Sequence, residues 1–223
     1  MVPRTFRRNP NSVGDAVPDA ILRKMLPTKP QQEEDLNKSL IEKAADTAAV
    51  GAAIGPFLVK HREAVAFPKI KEFLTHLRAD PEHKKIGSVG FCWGGRYSIL
   101  LAHAGAEPYV DGAVAFHPSF LSIPDEIEKI ERPVDIEVGD QDALVKASDI
   151  ETIQGIFHNK PQCHIEVHPD QVHGFSVRGD LSIEKDKKAK EKGNENVRNQ
   201  NTCTNFRLLT SSTKPCPEPG WRI

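Results

Sequence analysis

An α/β fold, a doubly wound and mostly parallel sheet, is predicted by three observations. Short apolar runs alternate with amphipathic patterns from residue 85 to about 180. One run passes through Ser88-Val89-Gly90-Phe91-Cys92-Trp93-Gly94-Gly95, a strand-to-helix turn with glycines on both sides of a cysteine. At 223 residues the chain can build one sizeable core with appended segments.

Residues 1–30 are rich in Pro, Arg, Asn and Asp, lack a period and read as loop. From 31 to about 61, Leu36, Leu40, Ile41, Ala44 and Ala45 recur at helical spacing, and Gly51, Gly55 and Pro56 are expected to break that helix. A second helix is expected after Pro68, its face made by Ile70, Phe73, Leu74 and Leu77, ending near Asp80-Pro81. Residues 85–90 form a buried strand, and Tyr97, Leu100 and Leu101 lay the next helix on the sheet. Strands follow at 110–116, 134–138 and 163–168, with helices at 123–130 and 148–157. A last, charged helix starts near Leu181, and from Gly193 onward the Asn- and Pro-rich composition predicts an irregular tail.

Charge and composition exclude several classes. A formal charge of −1 gives no electrostatic case for nucleic acid or a membrane surface. No apolar run approaches the roughly 18 residues that cross a bilayer, and residues 1–10 lack the apolar stretch of a secretory signal. The four cysteines (Cys92, Cys163, Cys203, Cys216) form no CxxC pair, which is the usage of a reducing compartment, so a cytoplasmic location is expected. Zinc is not expected: strand alternation sends Cys163 and His164 to opposite faces, and no second cysteine cluster accompanies them.

The turn at Cys92 is where chemistry enters. Gly90 and Gly94 leave room for a tight turn, and Gly95 lets the following helix approach the sheet. The helix N-terminus then directs its free N–H groups toward the sulfur and favours thiolate. A cysteine nucleophile needs a base within reach and an acid to orient that base. Elbow folds take both from the ends of later strands, in the order nucleophile, acid, histidine. Cys92, Asp142 in Gly139-Asp140-Gln141-Asp142, and His173 in Pro169-Asp170-Gln171-Val172-His173 meet that order. Asp140 competes for the acid's place, and His168 and His117 compete for the histidine's or line the pocket instead.

Gly90-Phe91-Cys92-Trp93-Gly94-Gly95-Arg96, Gly139-Asp140-Gln141-Asp142 and His173-Gly174-Phe175-Ser176-Val177-Arg178-Gly179-Asp180 together resemble the dienelactone hydrolase family of α/β-hydrolases, its fungal-type members most of all. The resemblance implies hydrolysis of an ester or lactone carbonyl without a cofactor. It makes Cys92 the nucleophile, His173 the base and acid, Asp142 its orienter and the Trp93 N–H an oxyanion donor. It also implies an apolar pocket of Phe91, Trp93 and Phe175, with Arg178 placed for an acidic substrate. The partner expected is a small-molecule ester or lactone.

The expected organisation is a leader over 1–13, the hydrolase domain over 14–192 and an irregular tail over 193–223. On this resemblance the chain is N-terminally truncated. It lacks the family's early strands, with their second oxyanion N–H and a glutamate that pairs with the resting thiol, and the final helix over the sheet. The alternative function is a catalytically silent relative, binding or thiol-reactive. A redox thiol protein is disfavoured because no resolving cysteine lies near Cys92 in sequence.

Overall fold

The computed structural model describes residues 40–83, 85–103 and 110–203. The leader expected over 1–13, the loop over 1–30 and residues 204–223 of the tail lie outside them. The chain divides into two compact units, residues 1–70 and 71–223. In the first, α1 (Leu40–Lys60) runs through Gly51, Gly55 and Pro56, which were expected to break it. Each interior glycine costs about 1 kcal/mol and proline about 3, yet the turns continue across all three. α2 (Glu63–Ala79) likewise begins before Pro68 and carries it inside.

The second unit is a four-stranded parallel sheet of β1 (Gly87–Phe91), β2 (Gly112–Phe116), β3 (Val134–Gly139) and β4 (Cys163–His168), in that spatial order. Between the strands run α3 (Trp93–Leu100), α4 (Asp125–Glu128) and α5 (Ala147–Phe157); after β4 come α6 (Phe175–Arg178) and α7 (Glu184–Cys203). The register Phe91↔Phe116 and Phe116↔Glu137 brings the carboxyl ends of β1, β2 and β3 level. The loops carrying the site therefore open on one rim.

Period-two alternation gives the sheet two unlike faces. Toward one point Ala113, Ala115, Val134, Ile136, Val138 and Cys163, packed with Ile99, Ile127, Ile130, Ile150, Ile153 and Phe157 in the main apolar core. Toward the other point Val114 and Phe116, joined by Phe175, Ala189 and Val197. Here too lies a buried polar cluster, in which Asn196 Nδ2 donates to Glu137 Oε1 at 2.7 Å and His168 Nε2 meets Glu137 Oε2. Pairing of this kind is what allows a carboxylate at 0% exposure.

α7 changes the expectation for the carboxyl end. The irregular tail was to start at Gly193 and the covering helix was to be missing, but α7 continues to Cys203. Ala189, Asn196 and Val197 of α7 pack or bond against this second face, and Gly193 crosses directly over Phe116, where a Cβ would lie 2.5 Å from the ring carbon Cε1. A small residue is what admits the helix at that crossing. No described helix is long and apolar enough to cross a membrane.

Candidate active site

Cys92 stands between β1 and α3 with φ 53° and ψ −120°, a conformation that side chains other than glycine rarely adopt. Its neighbours make that turn fit. A Cβ on Gly90 would collide with the Gly94 carbonyl and lie 2.6 Å from Ser98 Oγ. A Cβ on Gly95 would press Pro118 Cα at 3.2 Å, so this glycine sets how closely α3 meets the loop after β2. Gly94 differs from expectation: a Cβ there meets nothing within 4 Å, and its contribution is the carbonyl that crowds Gly90.

The two other residues read from strand ends converge on this turn. His173 Nε2 lies 3.2 Å from Cys92 Sγ, and His173 Nδ1 lies 3.0 and 2.9 Å from the two Asp142 oxygens. Asp142 is 5% exposed and accepts the Leu144 N–H at 2.8 Å, which holds the carboxylate in its turn. Of the competitors, Asp140 is exposed, His168 is engaged with Glu137, and His117 sits behind the His173 ring at a centroid distance of 4.9 Å.

A fourth group was missed by the sequence reading. Ser119, fully buried, places Oγ 3.1 Å from Cys92 Sγ and 3.3 Å from His173 Nε2. Its position just past the end of β2, beside the elbow strand, was the available signal.

Electrostatics polarise the pair. Burial alone would raise the Cys92 thiol, but the His173 hydrogen bond and charge, then Ser119 and the Trp93 backbone N–H, outweigh it and leave the thiol lowered. For His173 burial disfavours the cation, while the Asp142 hydrogen bond, the Cys92 hydrogen bond and both charges lift it to about 9. These directions favour the thiolate–imidazolium pair over the pair with both groups neutral. His117 is pushed down to about 3, mainly by burial and then by the His173 charge, and stays neutral. Its Nε2 meets Ser176 Oγ at 2.8 Å.

The residues expected to line a pocket are placed unequally. Phe91 is 41% exposed and stacks on Phe116 at a centroid distance of 4.9 Å. Trp93 is half-buried and meets Tyr97 edge-on. Phe175, at 2% exposure, is wedged between His117 and His168 and offers almost no surface. His117 is equally enclosed. Arg178, partly buried, runs along Gly174, where a Cβ would lie 3.5 Å from its Cδ. Among the described residues no group of three or more His, Cys, Asp or Glu side chains is placed to hold a metal ion.

A parallel sheet with helices on both faces, and a strained cysteine where its first strand turns into a helix, defines the α/β-hydrolase class. Within that class the chain belongs to the dienelactone hydrolase family, whose profile matches residues 16–200. Among curated relatives, hydrolase pyvD of Aspergillus violaceofuscus is 35% identical over 127 residues, covering 56% of this chain and 49% of its own. A carboxymethylenebutenolidase homolog of Xenopus tropicalis is 26% identical over 127 residues, covering 55% of this chain and 50% of its own. Among solved structures, a dienelactone hydrolase-like promiscuous phosphotriesterase from metagenomic libraries aligns at 26% identity and a TM-score of 0.45, covering 56% of each chain. The chain thus spans about half the length of these relatives.

Proposed function

We propose that this chain hydrolyses a carboxylic ester or lactone of a small molecule, with Cys92 as nucleophile, His173 as acid and base, and Asp142 orienting His173. The reading rests on one observation above the others: Asp142, His173 and Cys92 form an unbroken line of hydrogen-bond contacts at the strand ends.

In the first half-reaction the Cys92 thiolate adds to the carbonyl carbon, and the negative charge moves to the carbonyl oxygen. The Trp93 N–H at the helix start is the donor assigned to that oxygen. Collapse breaks the C–O bond, and the departing alkoxide takes the proton from His173 Nε2. The neutral imidazole next accepts a proton from water as the hydroxyl adds to the thioester. That transfer re-forms the imidazolium, and the second collapse breaks the C–S bond, expels the thiolate beside it and releases the acid. Asp142 holds the Nδ1–H throughout and keeps Nε2 facing the sulfur. The cytoplasmic location expected from cysteine usage belongs to the same proposal.

Replacing Cys92 with Ala tests it. Hydrolysis of an activated aryl ester should fall to background in Cys92→Ala. Turnover near the unmodified level would remove Cys92 from the reaction.

A further inference from the structure

We propose that Ser119 is a positioning residue of this site, its buried hydroxyl bridging the Cys92 sulfur and the His173 ring so that the two are held ready to exchange a proton. The proposal deepens the reading of Cys92 and His173 given above and rests on it.

Three contacts close a triangle: Sγ to Nε2 at 3.2 Å, Sγ to Ser119 Oγ at 3.1 Å, and Oγ to Nε2 at 3.3 Å. A hydroxyl has one proton to donate and two lone pairs that accept. With sulfur as thiolate and the ring protonated, the Ser119 O–H donates to sulfur, and Nε2–H is shared between sulfur and Oγ. With the proton on sulfur, the hydroxyl accepts from S–H and donates to Nε2. Either state leaves every polar hydrogen of the triangle with an acceptor, which matters because Ser119 and His173 are buried.

The backbone holds the hydroxyl there. Phe116 O accepts the Cys92 N–H at 3.0 Å, and Cys92 O accepts the Ser119 N–H at 3.1 Å. His117, anchored through its N–H to Glu137 O at 2.6 Å, has φ 35°, and Phe120 has φ 60°. Two non-glycine residues thus sit at positive φ on either side of Ser119, an arrangement that persists only where neighbouring structure enforces it. Pro118 between them is packed against Gly95 at the elbow. Full burial keeps a substrate carbonyl from Ser119 Oγ, so its role is to hold the pair rather than to attack.

The titratable and charged groups around the triangle are His173 with Asp142 behind it, and neutral His117 behind the His173 ring with the Arg178 charge acting on it. Ser119→Ala leaves all of them in place and removes a single oxygen. The rate of Cys92 alkylation by iodoacetamide, followed by peptide mass mapping across pH, reads the thiolate fraction directly. In Ser119→Ala the midpoint should rise by about one pH unit, the loss of one hydrogen bond to a charged acceptor. Ser119→Thr, which keeps the hydroxyl, should restore it. An unchanged midpoint in the Ala variant overturns the proposal. So does a rise that the Thr variant shares, because the effect then comes from packing. The titration needs no turnover, so it stands apart from the Cys92→Ala result: ester hydrolysis surviving in Cys92→Ala would end the reaction proposed, while the alkylation midpoint would still decide the role of Ser119.

Discussion

Asp142 decides which way the charge in this site runs. Its carboxylate faces His173 Nδ1 from within a turn that keeps it 5% exposed, and its hydrogen bond is the largest influence lifting His173 against burial. The sign of the pH dependence follows. Activity should rise with pH as the lowered Cys92 thiol ionises, and fall above about 9, where His173 loses the proton that the leaving group needs. Asp142→Asn should reduce kcat by roughly 10²–10⁴ and move the alkaline limb to lower pH, because burial of His173 then goes unopposed by a carboxylate. Steady-state pH profiles of the two proteins check both. Asp142 and His173 were legible because a carboxylate and a histidine each follow an apolar run and a turn. Ser119 was not: a serine between Pro118 and Phe120 resembles any loop serine, and its place depends on positive φ at His117 and Phe120, which no local sequence signal encodes.

Among elements, β1–β4 and the start of α7 were readable; the extent of α7 past Gly193 and its seat on the sheet were not. Each strand is a short stretch rich in apolar residues between helical patterns, and β3 and β4 run into turns at Gly139-Asp140 and Pro169-Asp170. Half of α7 is charged, and it seats on the sheet through Ala189, Gly193, Asn196 and Val197, of which only Ala189 and Val197 are apolar. The Asn196–Glu137 bond and the Gly193 crossing are tertiary facts, invisible to a helical-period count. Two glycine substitutions separate propensity from packing. At Gly155, within α5, a Cβ meets nothing within 4 Å, so Gly155→Ala should stabilise by about 1 kcal/mol. At Gly193 the same propensity gain is opposed by overpacking against the Phe116 ring, typically 1–3 kcal/mol, so Gly193→Ala should be neutral to destabilising by about 2 kcal/mol. Denaturant midpoints of the two variants should move in opposite directions or, at the least, differ by about 1 kcal/mol or more. The failed break in α1 has the same lesson: Gly51, Gly55 and Pro56 are costs, and the helix continues despite them.

For the whole molecule, the sheet's two faces divide labour. One is an aliphatic core; the other carries Phe116, Phe175 and the Glu137–His168–Asn196 cluster under α7. The site belongs to neither face alone. Cys92, Asp142 and His173 follow β1, β3 and β4, and the loop after β2 delivers Ser119, so the constellation exists only when four parallel strands are level. That is why the convergence of Cys92, Asp142 and His173 was legible: strand order and strand-end placement are topological, and topology is written over the whole chain. The acyl transfer to Cys92 proposed above would consequently depend on the assembled fold. The most direct measurement is rapid quenching of the intact protein with a p-nitrophenyl ester, followed by mass mapping of the acyl group during the first turnover. Stoichiometric acylation of Cys92, formed with the nitrophenolate burst and then decaying by hydrolysis, is the predicted result. Acylated Cys92 that never decays would assign the chain to the thiol-reactive, non-hydrolytic alternative. Ester turnover with no acyl group on Cys92 would contradict the account.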